Sequence, residues 1–351
     1  MIRICREQKG MSQEELGQKV QVTRQTIAAW EKKERVPTIE QLGRIAKALG
    51  VSVDLLMGKK ATVEPTLLFR ADVPSVLSDD LRRFLTRKAQ DYAVVEKVTG
   101  SFPVIPESRP VMEYDFFFVE SVAREIRDWL GVEEAPLGDA LSLLEAKGIK
   151  IVPQALPNEV SGFSAYTNEL GGVIFINSSH PTERQFFTAL HELAHLVFHR
   201  KEYDAPGEPV RKSDPREKLA NHIAGAVLLP RTLVEGELKS YRNRWIPEPV
   251  LGDMKYRYST SMRTILYRAE QIGIISKKQM GTQIGKLNAR YGKDDEGYEL
   301  TPPKALRRLN RLVYRALFDQ KITASRAAEI LGVPLLQVRE ELSSWYEGVT
   351  H

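Results

Sequence analysis

His191-Glu192-Leu193-Ala194-His195 gathers two imidazoles and a carboxylate around one point. A helix advances one turn in about 3.6 residues, so His191 and His195 project from one face, one above the other. That spacing lets both rings reach a single Zn²⁺. Glu192 lies about 100° around the helix, where it can hold a water at the metal without ligating it. Five of the six histidines, His180, His191, His195, His199 and His222, fall in this same stretch of chain, and only His351 lies outside it.

A catalytic zinc takes three protein ligands and keeps a position open for water. Glu217 is the best third ligand. It sits in a second predicted helix that opens at Asp214-Pro215, with Ala220 and Ala224 on its own face. Small side chains there let two helices approach closely enough for a carboxylate to reach the metal. The same spacing also makes Glu217 a capping-box residue bonding back to Asp214. Asp214 and His222 are the substitute ligands, and His199 is read as a partner orienting a ligand ring.

The chemistry implied is hydrolysis. Zinc lowers the pKa of water to about 7 and polarises a carbonyl. Glu192 accepts the proton and delivers it to the leaving amine, while His222, Tyr166 or Tyr203 could donate to the oxyanion. The elements needed to position these groups are readable. Thr182 with Gln185 forms a capping box after Pro181, and Phe187, Leu190, Ala194 and Val197 make an apolar stripe on a face distinct from that of the histidines. Gly172 to Asn177 is β-rich, and Gly162 to Tyr166 is a neighbouring strand. A free strand edge beside a metal would bind an extended peptide through its main chain.

These residues resemble the ImmA/IrrE family of metallopeptidases. The likeness runs from about Tyr114 to Pro230. It includes Ala123, Arg127, Leu130-Gly131, Leu143-Leu144-Glu145, Gly148-Ile149, Gly162-Phe163-Ser164, Ile174-Phe175-Ile176-Asn177, Arg184 and Phe186 before the motif, and Glu217, Ala220, Ile223-Ala224 and Leu228-Leu229-Pro230 after it. The chain departs from the usual pattern at Leu229, where methionine is common, and at Gly225, where alanine is. The resemblance implies a central α+β zincin-like (gluzincin-type) domain with His191, His195 and Glu217 as ligands and Glu192 as general base. It also implies substrates among transcriptional repressors.

The first sixty residues carry a different signal. Ser12 and Glu15 make a capping box, Gln21-Val22 a turn, and Thr23 caps the run Arg24 to Glu31. Leu16, Val20, Ile27, Trp30, Leu42, Ile45, Leu49, Val53, Leu55 and Leu56 have the spacing of inner helix faces. This segment resembles the XRE (lambda repressor-like) helix-turn-helix family, which implies a five-helix domain whose second motif helix enters the major groove. Beside the capping Thr23, Arg24 can pair with guanine and Gln25 with adenine. Gln13, Lys32, Lys33 and Arg35 are placed for phosphates. The segment Met1 to Lys60 has 12 Lys and Arg against 7 Asp and Glu, so the whole formal excess of +5 resides there. That modest charge argues for a homodimer on double-stranded operator DNA, with affinity that weakens in salt.

A length of 351 residues suits two or three domains, and 42% hydrophobic content suits packed cores. The single Cys5 excludes an internal disulfide framework and fits a cytoplasmic setting. No signal core or membrane span is visible; Phe116 to Val119 is far too short. Gly58 to Pro65 reads as a linker, Ser78 to Val98 as a helix and Phe102 to Pro110 as a proline-marked loop. Ile322 to Val333 followed by Gln337-Val338-Arg339 is similar to another helix-turn-helix, for which packing or dimerisation is preferred over DNA contact. Leu306 to Leu317 reads as core.

The expected architecture is therefore multidomain and mainly α with a small sheet. It comprises a DNA-binding domain over 1–60, a linker with helix over 61–110, a zinc metallopeptidase domain over 111–240 and a helical domain over 241–351. The function expected is a DNA-binding regulator with a zinc-dependent endopeptidase that cleaves a partner protein, in stress, phage or mobile-element control. The alternatives are a non-proteolytic metal-dependent sensor and an antitoxin-like regulator of an adjacent toxin.

Overall fold

The structure, a computed structural model, describes residues 2–3, 6, 11–32, 34–49, 53–56, 77–103, 105–107, 114–200 and 214–347. Lys33, Tyr203 and the linker Gly58 to Pro65 lie outside these residues. The chain divides into two compact units, Met1–Thr66 and Leu67–His351.

In the smaller unit, α1 (Gln13–Val20) starts on Ser12, whose side chain accepts from Glu15 N while Glu15 reaches back to the Ser12 amide. This capping box satisfies two amides that the first turn leaves open. Gln21 ends the helix in the left-handed region with φ 60°. Thr23 then caps α2 (Arg24–Glu31) by accepting from Thr26 N. Gly17 makes the turn possible, because a Cβ there would lie 2.7 Å from the carbonyl oxygen of Val22. α3 (Ile39–Leu49) and α4 (Val53–Leu56) complete the described helices. Leu16, Val20, Ile27, Trp30, Leu42, Ile45, Leu49 and Leu56 are buried together, and Val53 packs against them. The first of the five expected helices falls on residues 1–10, most of which lie outside those described.

The larger unit opens with α5 (Asp79–Thr99), capped by Ser78, then α6 (Phe116–Leu130) and α7 (Ala140–Ala146). A sheet follows, of β1 (Lys150–Gln154), β2 (Gly162–Thr167) and β3 (Gly171–Asn177), in the order β1-β3-β2. β1 runs parallel to β3 and β2 antiparallel to it. The sequence reading missed β1, which carries Pro153. Proline cannot donate to a ladder and is tolerated in a strand only at an edge, and β1 is an edge.

Period-two alternation sorts the sheet into two faces. Phe163, Ala165, Val173 and Phe175 pack with Leu85 and Ala89 of α5. Ile151, Ile174 and Ile176 join the main core with α8 (Thr182–Phe198), α9 (Pro215–Leu228) and α6. The helix α8 begins at Thr182 as expected, but without the capping box. Pro181 occupies the cap position, and the Gln185 amide donates to the His180 carbonyl instead. The stripe is also broader than expected, since Phe186, Ala189, Leu193 and Leu196 are buried along with Leu190, Ala194 and Val197. The helix lies between sheet and helices, so no side of it is left to water alone.

The chain continues through α10 (Arg231–Leu238), α11 (Glu248–Tyr258), α12 (Met262–Gln271) and α13 (Lys277–Tyr291). It ends with α14 (Arg308–Phe318), α15 (Ala324–Leu331) and α16 (Leu335–Glu347). Leu312, Val313, Leu317, Ala327, Ile330 and Val338 of these last three pack with Tyr92 and Val95 of α5, which makes them the core and packing elements expected. Among the described residues no helix is long and apolar enough to cross a membrane.

Candidate metal centre and DNA-facing helix

The two helices that carry the candidate ligands lie side by side, and the alanines explain how. Ala220 and Ala224 are fully buried, leaving no bulk between α9 and α8. Glu217, one turn earlier, projects at the histidines. Its Oε2 lies 3.2 Å from His191 Nε2 and its Oε1 3.3 Å from His195 Nε2. The two Nε2 atoms are 3.0 Å apart. One ligand atom from each of these three residues lies within 4.8 Å of the others. Glu217 is therefore directed away from the helix start, where Asp214 alone caps by accepting from Arg216 N. Burial raises the Glu217 carboxyl, but hydrogen bonds from His191 and His195 outweigh it and hold the group below the ordinary carboxylate range.

The opposite ring nitrogens are already engaged. His191 Nδ1 donates to Asn221 Oδ1 at 3.0 Å, and His195 Nδ1 shares a hydrogen bond with His199 Nδ1 at 2.8 Å. Pairing at Nδ1 fixes ring orientation and turns each Nε2 toward Glu217, as a shared metal would require. Two imidazoles and one carboxylate are a donor set that zinc accepts, and these residues fit it. His199 thus stands where an orienting partner was expected. Asn221 was not anticipated, although it lies at i+4 from Glu217 and so on the same face. Replacing Asn221 with alanine should weaken zinc binding about 10–100-fold, as loss of such orienting groups generally does; equilibrium competition with a chromogenic chelator would measure it.

Glu192 is buried beside this cluster and accepts a hydrogen bond of 2.5 Å from Ser164 Oγ. The local geometry follows from β2 lying along α8. A Cβ on Gly162 would come within 2.7 Å of Thr188 Cγ2 and 2.6 Å of the Phe175 carbonyl oxygen, so only glycine allows this approach. Two residues along the strand and four along the helix, the same juxtaposition sets Ser164 on Glu192. Ser164 was not foreseen as a partner, because the strand-to-helix register is a tertiary property.

Tyr166 comes next on that face and is met by Arg200, whose guanidinium lies 5.1 Å from the ring centroid. Its hydroxyl faces Asn168 at 3.4 Å. His222 is engaged by other partners, with Nδ1 accepting from Tyr114 Oη at 2.9 Å and Nε2 donating to Glu120 Oε1 at 2.7 Å. Arg268, 1% exposed, clamps both oxygens of Glu120 at 2.6 and 2.7 Å and donates to the Leu229 carbonyl. This network ties α6, α9 and α12 together behind the centre. No local pattern announces it, since Glu120 and Arg268 are far apart in the chain.

Burial holds the His222 imidazolium down, below the ordinary histidine range, more strongly than Glu120 supports it. A folded-state pKa below the unfolded value means that stability is present above about pH 6.5 and is lost as pH falls beneath it. The thermal midpoint should therefore decline on acidification below that value, and His222→Gln should flatten the decline relative to the native chain.

The family model described as "Helix-turn-helix" matches residues 2–56, and that described as "IrrE N-terminal-like domain", a peptidase family, matches residues 144–270. An uncharacterized HTH-type transcriptional regulator of Methanothermobacter thermautotrophicus is 50% identical over 50 residues, which are 14% of this chain and 72% of that protein. The chain belongs to the helix-turn-helix family and carries an IrrE-like peptidase-family domain. A solved transcriptional regulator of Mycobacterium tuberculosis is 15% identical with a TM-score of 0.32. The alignment covers 52% of this chain and about half, 51%, of that one.

In the helix-turn-helix unit, Thr23, Arg24 and Gln25 are all exposed at the start of α2. Lys32 and Arg35 are exposed after its end, with Lys32 Nζ 4.0 Å from Glu34. Gln13 is differently employed, as its amide donates to Glu31 Oε2 at 2.7 Å while Arg6 binds the same carboxylate at 2.6 Å. That inward bond braces α1 against α2.

Proposed function

We propose that this DNA-binding regulator is a zinc-dependent endopeptidase acting on an extended segment of a partner regulatory protein. The observation that carries the reading is the convergence of His191, His195 and Glu217 beside a buried Glu192 held by Ser164. His191, His195 and Glu217 would hold the ion, which supplies Lewis acidity toward a carbonyl and lowers the pKa of water. Glu192 takes the proton of the attacking water and passes it to the departing amine. Ser164 fixes the rotamer of Glu192, and Asn221 and His199 fix the two rings. β2, an edge strand against α8, offers main-chain partners for a substrate strand.

Arg24 and Gln25 at the head of α2 would read base edges of double-stranded operator DNA, with Lys32, Lys33 and Arg35 on the backbone. A symmetric dimer would supply the second half-site. Arg24→Ala should cost about 1–3 kcal/mol in operator affinity and relax preference at one base pair, which a binding titration against operator variants would register. For the peptidase reading, the zinc-loaded full chain is incubated with repressors encoded beside it and the products are sized by mass spectrometry. Discrete fragments that vanish on chelation support the reading. Intact repressors under all conditions, with zinc bound, would favour a sensor instead.

A further inference from the structure

Two surface depressions, of about 580 and 590 Å³, adjoin along α14 and share no lining residue with the histidine cluster. Arg307 and Arg311 line both, and Arg315 extends the row. These three are exposed and spaced at i, i+4 and i+8, so they form one ridge whose members are separated by about 6 Å along the axis. Among the described residues neither the Arg307 nor the Arg311 side chain makes an ion pair, and Arg315 lies only within 4.0 Å of Asp319. The one carboxylate lining these depressions, Glu145, is committed to the backbone amides of Arg307 and Arg308. Tyr314 and Phe318 stand on the same helix face, and Phe318 is 61% exposed.

We propose that this face of α14 binds single-stranded nucleic acid. The guanidinium groups of Arg307, Arg311 and Arg315 hold successive phosphates, and the Phe318 ring stacks on a base. Three lines of chemistry favour that occupant. Guanidinium forks match phosphate oxygens in pairs. A row of cations interleaved with an exposed aromatic is the arrangement that tracks a strand and stacks its bases. A chain with a DNA-binding unit also works beside this polyanion. The helical hairpin of α15 and α16 keeps its packing role, since the contact surface is on the preceding helix. The inference does not depend on the peptidase reading.

The test uses the full chain carrying Arg24→Ala and Gln25→Ala, so that base readout by the amino-terminal unit is removed from every comparison. Anisotropy of a labelled oligothymidylate and of a random-sequence duplex is titrated over a range of salt. Adding Arg307→Ala, Arg311→Ala and Arg315→Ala should weaken single-strand binding at least tenfold and make the salt slope shallower by about 2, as loss of three phosphate contacts requires. The corresponding triple lysine variant should keep most of the slope. Phe318→Ala should lose about tenfold in single-strand affinity without altering the slope. The exposed positions should leave the thermal midpoint unchanged, which separates loss of contact from loss of fold. Unchanged affinity and slope in the triple alanine variant would overturn the proposal. A loss confined to the duplex, or displacement of the strand by polyglutamate through the same three arginines, would overturn it as well.

Discussion

Glu192→Gln will leave zinc uptake by His191, His195 and Glu217 intact and lower hydrolysis of a susceptible peptide by about 10²–10⁴-fold. The amide preserves shape and can still contact Ser164, so the helix and the ligand rings are undisturbed. What it cannot do is accept a proton at the position where the attacking water must lose one. The comparison with Ser164→Ala sharpens the result. Ser164 donates to Glu192 at 2.5 Å, so its removal loosens the hold on the carboxylate without abolishing its basicity. That variant should lose about tenfold in rate, far less than Glu192→Gln, which separates positioning from chemistry. Initial rates with native, Glu192→Gln and Ser164→Ala proteins at matched zinc occupancy decide the matter. Equal rates for native and Glu192→Gln would remove Glu192 from its role.

The second large effect is on stability. Arg268→Met should cost about 3–5 kcal/mol, because it removes a buried guanidinium and strands the half-buried Glu120 carboxylate without its counter-charge. In the native chain burial raises the Glu120 carboxyl, but His222 and Arg268 overcome that and bring it down to about 2. The group is therefore ionised throughout the neutral range and depends on both partners. Arg268 also holds the Leu229 carbonyl at 2.9 Å, so its loss opens the end of α9 as well. For a unit of this size the thermal midpoint should fall by about 10 °C. Combining Arg268→Met with Glu120→Gln should recover part of the loss, since the orphaned charge is then gone. A double variant as unstable as the sum of both singles would show that shape, and not charge pairing, explains the cost.

The legibility of this chain followed the range of the interactions involved. Helix starts at Ser12, Thr23 and Asp214 were readable because each is settled within three or four residues. The converging set of His191, His195 and Glu217 was readable for a related reason. One helical turn fixes the histidine pair, and the alanines of α9 announce close approach. The Thr182 and Gln185 capping box was misread because Pro181 took the cap and the His180 carbonyl offered Gln185 a nearer partner. β1 was hidden by Pro153, whose edge position is known only once the sheet order is known. Ser164 on Glu192, and the Tyr114-His222-Glu120-Arg268 network that keeps His222 from the histidine pair, rest on contacts between distant segments. Periodicity carries no information about those.

Equilibrium zinc titration of the demetallated full chain tests the central claim most directly. One ion per chain should bind to the native protein and equally to Glu192→Gln, and binding should be lost or weakened by orders of magnitude in His191→Ala, His195→Ala and Glu217→Ala alike. Stoichiometric uptake that survives all three ligand replacements, or no uptake by the native chain, would contradict it.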